Sequence, residues 1–349
     1  MINELIEKIQ HAAAHRQTLT IRGSGSKDFY GGELLGSTLD VAVHHGIIDY
    51  APSELVLTAR AGTPLNEIKR ALDEHHQMLA FEPPHFGPHT TLGGCIASGL
   101  SGPRRAYSGA ARDYVLGVGM LDGRGQKLKF GGQVMKNVAG YDVSRLMTGS
   151  LGTLGVLLDV SLKVLPRPAA TLSLCFFCDE QTAIQRMNTW AGQALPLSAT
   201  CWQNEQLIVR LEGTQRAIHA AHGKLGGESL ADGDIFWRDI REQSATFFQS
   251  PQPLWRLSLP ATAPALKLQG AQLIEWGGAL RWLSSDMAAD EIRLAVAAVG
   301  GQATLFRGGN KQHGVFHPLP PALLAIQQRI KHGFDPHGIF NPRRLFREF

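Results

Sequence analysis

Leu92-Gly93-Gly94-Cys95-Ile96-Ala97-Ser98-Gly99, continued by Ser101-Gly102-Pro103-Arg104-Arg105, is the stretch from which the fold can be read. Leu92, Ile96 and Leu100 recur at helical spacing, so a short helix is expected with Thr90 or Thr91 as its cap. A glycine costs a helix up to ~1 kcal/mol relative to alanine. Gly93, Gly94 and Gly99 in one short helix therefore need a compensating gain. One is tight packing of the helix on a sheet. The other is close approach of a flat ligand, with a phosphate at the helix N-terminus, where free N–H groups and a partial positive charge gather.

Two further glycine-rich loops flank this stretch. Arg22-Gly23-Ser24-Gly25-Ser26-Lys27 follows a strand expected over 18–21. Its glycines allow positive φ, and successive N–H groups there can form an anion-binding nest. It is neither a Walker A loop, which needs Gly-Lys-Ser/Thr, nor the Rossmann fingerprint, because position 28 is Asp. Alone it reads equally as a surface turn. Gly149-Ser150-Leu151-Gly152-Thr153-Leu154-Gly155 is the third loop. Three such loops in one half of a chain suggest a large, extended ligand that contains phosphate.

The rest of the chain sets bounds. Its 349 residues suggest two domains. Charged residues make up 18%, below the usual ~25%, and the net charge is only +4. No Lys/Arg run is interleaved with aromatics, so nucleic acid is not an expected partner. Cys175-Phe176-Phe177-Cys178 has CxxC spacing, but the further ligands of a zinc or iron–sulfur site are missing, and buried thiols are expected. The amphipathic helix expected over 2–14 lacks a signal-peptide core, and no run approaches ~18 apolar residues. A cytoplasmic protein is expected, reaching the inner membrane only peripherally, through partner subunits.

Residues 1–168 alternate short helices with apolar strands. Strands are expected over 54–59 and 154–165, a helix over 64–76, and a hairpin of 114–121 with 126–130 around Asp122-Gly123. Pro166-Arg167-Pro168 marks a boundary. Residues 169–310 read as two βαββαβ-like sets. The first has strands 171–177, 197–202 and 206–212 with helices 180–193 and 214–225. A helical stretch near 233–247 follows. The second has strands 253–259, 272–276, 279–283 and 302–307 with helices 262–270 and 286–298. The expected architecture there is a mixed antiparallel sheet with helices on one face. A helix over 319–333 precedes a proline-punctuated tail, and 311–349 is expected to return to the first domain.

The order of these loops resembles the FAD-binding domain of the vanillyl-alcohol-oxidase-like flavoproteins. Lys136-Asn137-Val138-Ala139-Gly140-Tyr141-Asp142, the third loop, and the Phe334-Asp335-Pro336 and Phe340-Asn341-Pro342 tail are similar to its 2-hydroxy-acid branch of glycolate oxidase and D-lactate dehydrogenase subunits. The resemblance implies an α+β fold, in which two subdomains clasp FAD and a mixed-sheet α+β cap follows. It implies cofactor contacts from Arg22, Gly23, Ser24, Gly25, Ser26 and Lys27, and from Thr90, Thr91, Leu92, Gly93, Gly94, Ala97, Ser98 and Gly99, which would hold the pyrophosphate. Gly149, Ser150, Gly152, Gly155 and Val156 would run past the adenine and ribose. Ser26 stands where some relatives tether flavin through His, and Cys95 comes earlier than a tethering Cys, so non-covalent FAD is expected.

The catalytic members of that branch carry Glu-His-Gly-Ile-Gly and an upstream histidine cluster for a metal. Here the echo is Gln312-His313-Gly314-Val315-Phe316-His317, and no metal is expected. Leu151 replaces the Glu of their third loop. The chain thus resembles an accessory flavoprotein subunit, working beside a catalytic flavoprotein subunit and an iron–sulfur subunit in oxidising a small 2-hydroxy acid. The alternatives are a self-sufficient D-lactate-type dehydrogenase and a non-catalytic FAD-binding structural subunit. Arg104 and Arg105 suit a phosphate or carboxylate, or a solvated turn. Tyr107-Ser108-Gly109 is a candidate for ring contact. No catalytic residue is named.

Overall fold

The computed structural model describes residues 1–132 and 142–349. Lys136-Asn137-Val138-Ala139-Gly140-Tyr141 lies outside the described residues. The elements run α1 (Ile2–His15), β1 (Leu19–Arg22), β2 (Ser37–Asp40), β3 (Ile47–Ala51), β4 (Val56–Arg60), α2 (Leu65–Asp73), β5 (Gln77–Met78), α3 (Leu92–Ser98), α4 (Arg105–Ser108), α5 (Ala111–Tyr114), β6 (Val115–Leu121), β7 (Lys127–Gly131), α6 (Val143–Leu146), β8 (Val156–Lys163) and β9 (Leu165–Pro166). The second half adds β10 (Ala170–Phe177), α7 (Glu180–Ala191), β11 (Leu197–Gln203), β12 (Gln206–Gly213), α8 (Gln215–Leu225), β13 (Glu228–Ser229), α9 (Gly233–Glu242), β14 (Leu254–Ser258), β15 (Ala271–Glu275), β16 (Leu280–Ser284), α10 (Ala289–Ala297), β17 (Gln302–Arg307) and α11 (Pro321–Phe334).

The first half is built on an antiparallel sheet in the order β3-β4-β8-β6-β7. Side chains alternate between faces along a strand, and an extra residue at Leu158, where the pairing with β6 shifts register, reverses that alternation within β8. Leu157, Val160 and Leu162 of β8 join α2 and α3 in one core, while Val156 and Leu158 join α1 in another. The second core also takes Leu19 and Leu39 of the parallel pair β1-β2. The tail completes that small sheet. Phe340 bridges Leu19 in parallel, with Leu19 N donating to Ile339 O at 2.7 Å and Asn341 N to Leu19 O at 2.9 Å. Helix α3 packs on β4 and β8 of the large sheet, in the core that it shares with α2.

The second half is one eight-stranded sheet in the order β13-β10-β12-β11-β15-β16-β14-β17. Numbering the strands of each set 1 to 4 along the chain, both sets have the order 4-1-3-2, and they join edge to edge through β11 and β15. The expected mixed sheet is corrected: every neighbouring pair is antiparallel. Each crossover, β10 to β11, β12 to β13, β14 to β15 and β16 to β17, skips one strand position, and the strand in that position runs antiparallel to both it joins.

The helices do not share one face. The core of α7 and α8 takes Leu207, Val209 and Leu211 of β12, whereas Ile208 faces the core of α9 and its Trp237. The helix expected over 262–270 is absent. Arg281 is fully buried, and its guanidinium donates to the carbonyls of Pro264 (2.6 Å) and Ala263. Those carbonyls cannot also serve a helical ladder, and Pro260 and Pro264 weaken one further.

Helix α11 packs Ile330 and Phe334 on the first core, and a buried cluster around Lys331 ties down its end. Lys331, 4% exposed, donates to Thr153 O and Phe340 O, both at 2.8 Å, and to Asp335 Oδ2 at 2.7 Å. Asp335 in turn accepts from Ile339 N (3.1 Å) and Phe340 N (2.8 Å). Removing one partner of a buried ion pair typically costs ~3–5 kcal/mol, because the other charge stays buried and unpaired. Lys331→Met should therefore lower the urea midpoint by a corresponding amount. An unchanged midpoint would show that this clasp does not hold the tail.

A candidate cofactor cavity between three loops

The three glycine-rich loops meet in one open cavity, about 780 Å³ when its solvent-filled mouth is counted. Its walls include Arg22, Gly23, Ser24, Gly25, Ser26, Lys27, Thr91, Gly93, Gly94, Ala97, Ser98, Ser150, Gly152 and Gly155, all expected from the sequence. Ile21, Leu34, Val41, Ala61, Leu151 and Leu157 supply apolar walls, and Asp28, Asn341 and Arg344 polar ones. Asp28, Leu151 and Asn341 were noted in the sequence for other reasons, and none of the nine was expected as a cofactor contact. They are ordinary core or tail residues, and only the fold brings them to the ligand loops.

Five expected residues do not line the cavity. Leu92 and Val156 are fully buried in the two cores that flank the large sheet. Thr90 is turned inward, where its Oγ1 meets Ser26 Oγ at 2.8 Å and donates to the His85 carbonyl. Gly99 is the left-handed cap that ends α3, with φ 62°. Gly149 packs beside it: a Cβ on Gly99 would lie 3.0 Å from Gly149 Cα. These five shape the loops rather than face a ligand.

The phosphate-binding role expected of the α3 terminus also moves. Leu92 N donates to Thr63 O (2.8 Å) and Gly93 N to Ala61 O (2.6 Å). Gly94 N reaches Thr91 Oγ1 at 3.3 Å. Helix α3 thus spends its first amides on the sheet and its own cap. A Cβ on Gly93 would come within 2.8 Å of the Ala61 Cβ, so this glycine serves packing as well. Gly94 differs. A Cβ there would meet only Thr91 Oγ1, at 3.1 Å, so the rest of the space is cavity.

The first loop supplies the free donors. Gly25 turns the chain with φ 77°. Among the described residues the N–H groups of Gly23, Ser24 and Gly25 have no acceptor. Three consecutive free amides at a turn form an anion nest. Lys27 stands beside them, with its ammonium 3.4 Å from the His85 carbonyl and 5.6 Å from the centre of the Phe86 ring. Burial lowers its pKa, opposed by the Cys95 and Glu242 charges. A buried ammonium with one long hydrogen bond gains from an anion close by. Arg22 is already paired with Asp28 at 2.6 Å. Arg344 is committed as well, donating to the carbonyls of Asp28 (2.9 Å) and Gly32, and burial lowers its pKa to about 10.

Asn341 locks the loops together. Its Oδ1 accepts from Ile21 N at 2.7 Å, and its Nδ2 donates to Leu151 O at 2.6 Å. Leu151 N donates to Ala97 O at 2.8 Å, and Gly149 N to Ile96 O at 3.0 Å. One amide thereby joins the strand before the first loop to the third, and the third is bonded to the second. The residues fit a dinucleotide: free amides and a cation for its phosphates, and apolar walls for its rings.

Other candidates lie elsewhere. Arg104 does not reach the cavity. It forms a buried network with Glu82, Arg210 and Glu212 at the seam between the two halves. Burial works to raise the Glu82 pKa, but Arg210 and Arg104 outweigh it and hold it below its ordinary value. Arg105 lies 4.5 Å from the Trp276 ring centre. Tyr107 packs on the core of α7 and α8, so it is not a ring contact in the cavity. Cys175 and Cys178 are half-buried free thiols on opposite sides of the second sheet. Among the described residues no three His, Cys, Asp or Glu side chains converge as a metal site. His313 and His317 are separated in role: the His313 carbonyl accepts from Arg293 at 3.1 Å, while His317 Nδ1 accepts from Ala303 N at 3.4 Å.

This fold and cavity define an FAD-binding-domain protein, and the FAD binding domain family matches residues 2–131. A solved structure of alkyldihydroxyacetonephosphate synthase has the same fold, with a TM-score of 0.66 at 14% identity, covering 98% of this chain and 74% of that one. Glycolate oxidase subunit GlcE of Escherichia coli (strain K12) is 49% identical over 344 residues, covering 99% of this chain and 97% of that protein. Glycolate oxidase subunit GlcD of Bacillus subtilis (strain 168) is 30% identical over 176 residues, 49% of this chain and 37% of that protein. The chain belongs to the glycolate oxidase subunit GlcE family. No described helix is long and apolar enough to cross a membrane.

Gly94 gives the cavity a direct test. Gly94→Asp puts a carboxylate and extra bulk into the cavity that holds the anion nest, and flavin retained on purification should fall at least tenfold. Gly94→Ala, which only nudges Thr91, should fall far less. Equal flavin content in Gly94→Asp and wild type would place the cofactor elsewhere.

Proposed function

We propose that this chain is the non-covalent FAD-carrying subunit of a multi-subunit glycolate oxidase, passing on electrons from oxidation of the 2-hydroxy acid to glyoxylate. The single observation that carries the reading is the meeting of three loops in one cavity, where the amides of Gly23, Ser24 and Gly25 and the buried Lys27 lack an anion. In this reading those amides and Lys27 hold the pyrophosphate, and Gly149–Val156 runs past the adenine and ribose. Bound FAD supplies a two-electron acceptor that can release electrons singly.

The chain's own residues position that group and keep it chemically untethered. Ser26, at the first loop, has no nucleophilic partner base among its contacts. The Cys95 thiol is 1% exposed, and burial raises its pKa to about 11. A thiol that is neutral at pH 7 is a poor nucleophile. The four cysteines are free and dispersed, which supports an iron–sulfur subunit as the next carrier. A catalytic flavoprotein subunit is the source of electrons in this assembly. The absence of a Glu-His-Gly segment from this chain and Leu151 at its third loop favour relay over independent catalysis.

Two measurements on the purified full chain test this. Acid precipitation should leave the flavin in the supernatant, and flavin in the pellet would overturn non-covalent binding. Glycolate or D-lactate added anaerobically to the isolated chain should leave the yellow colour unchanged, and adding the catalytic subunit should bleach it. Bleaching of the isolated chain would show it to be a self-sufficient dehydrogenase. A colourless protein that takes up no FAD would refute the reading.

A further inference from the structure

Helix α11 reverses the usual pattern of burial. Of its 14 residues only Lys331 is buried. Helix α1, of the same length, buries Leu5, Ile9 and Ala12 instead. Ile330 and Phe334 rest on the first core at the C-terminal end of α11. The N-terminal half has no such support. Leu323 is 50% exposed and Ile326 42%, and Ala322 and Ala325 are exposed beside them. From Leu319 to Ile326 no side chain is polar, and between Lys311 and Arg329 no Asp, Glu, Lys or Arg occurs. Successive helical positions turn by about 100°, so apolar groups cover every side of the opening turns. A helix that is apolar all round belongs in a covered setting.

The end and the flank of this half are positive. Pro320 provides no side-chain cap, and among the described residues the N–H groups of Ala322 and Leu323 have no acceptor. They carry the positive end of the helix dipole. Further along α11, Gln328 and His332 open onto an exposed groove whose other wall is the tail, with Arg343 and Arg347. Among the described residues neither arginine is in an ion pair. Of the acids lining the groove, Asp335 is taken by Lys331, which leaves Glu348. Leu324 and Ala325 stand one turn before Gln328 on the same stripe, so the apolar turns and the groove are continuous.

We infer that the N-terminal half of α11 and the groove beside it seat an acidic, amphipathic segment of a partner subunit. Its apolar face covers Leu323, Leu324 and Ile326, and its carboxylates meet Arg343, Arg347 and the uncapped helix end. Arg is suited to such contacts because its planar fork grips a carboxylate bidentately. Charge chooses among the occupants. A second copy of this chain would bring the same unpaired cations to the contact, with Glu348 as the one free acid of its groove. A bilayer fits no better. A helix lying on a membrane keeps a polar face in water, and residues 319–326 have none. In hydrocarbon the free amides of Ala322 and Leu323 would also stay unpaired. A protein partner supplies both the apolar cover and the acceptors. The inference rests on the reading of this chain as one subunit of an oxidase, and adds which face makes the contact. None of Leu323, Ile326, Arg343 and Arg347 lines the cofactor cavity, so the contact can be lost with flavin kept.

The full-length chain, tagged at its N-terminus, is co-expressed with the catalytic flavoprotein and iron–sulfur subunits of the same oxidase. The subunits that co-elute with it in size exclusion are quantified together with flavin. Wild type should carry a partner subunit, and should run as a monomer when purified alone. Leu323→Asp with Ile326→Asp should lower the co-eluting partner about tenfold, because the interface would desolvate unpaired carboxylates, while flavin per chain stays unchanged. Arg343→Glu with Arg347→Glu should also lower it, by a factor that shrinks as salt is raised. Leu323 and Ile326 are exposed, so the fold should survive their change. If the aspartate pair loses flavin, Leu323→Ser with Ile326→Ser takes its place. Unchanged co-elution in a flavin-retaining variant would overturn the surface. So would a wild-type dimer that the aspartate pair dissociates, which would make a second copy the occupant. Wild-type binding to phosphatidylglycerol vesicles that the aspartate pair abolishes would overturn it in favour of a membrane. Wild type that assembles with neither subunit would refute the assembly reading and this surface together. Assembly of a flavin-free wild type would refute the flavin reading and leave this surface standing.

Discussion

The structure depends on one side-chain amide at the end of the chain. Asn341 takes the N–H of Ile21 and gives its own hydrogen to the carbonyl of Leu151. These two groups belong to segments 130 residues apart in sequence, and neither has another reason to face the other. The tail reaches this point because Lys331 and Asp335 fix the end of α11 to the third loop and to Phe340. Loop positions so far apart in the chain are entropically costly to hold together, and a buried, fully bonded polar network is one way to fix them uniquely. The cavity is therefore a product of the C-terminus as much as of the glycine loops.

What the sequence made legible follows from locality. The 114–121/126–130 hairpin was readable because Asp122-Gly123 is a local turn signal and the strands beside it alternate. The succession of strands and helices in the two sets was largely readable because strand and helix periods differ, whereas the strand order 4-1-3-2 is seen in the structure. The helix expected over 262–270 failed for a non-local reason: Arg281, some twenty residues later, claims the carbonyls that a helix would use. The membership of the cavity divided on the same line. The glycine loops announced themselves, whereas Asn341, Leu34 and Val41 belong to it only through tertiary contact. Within the loops, sequence could not separate residues that face a ligand from those, such as Gly93 and Gly99, whose smallness serves packing and chain reversal.

The seam between the halves is a second structural commitment. Arg104, in the basic pair that sequence offered as a ligand contact, is consumed by Glu82 and Glu212. Arg105 stacks on Trp276.

The central claim is that the three loops hold the FAD pyrophosphate, with the first loop as the anion site. A crystal structure of the flavin-loaded protein tests it most directly. The account predicts pyrophosphate oxygens within hydrogen-bond distance of the amides of Gly23, Ser24 and Gly25, with the Lys27 ammonium alongside. Pyrophosphate bound away from these amides, with Lys27 still unpaired, would contradict it.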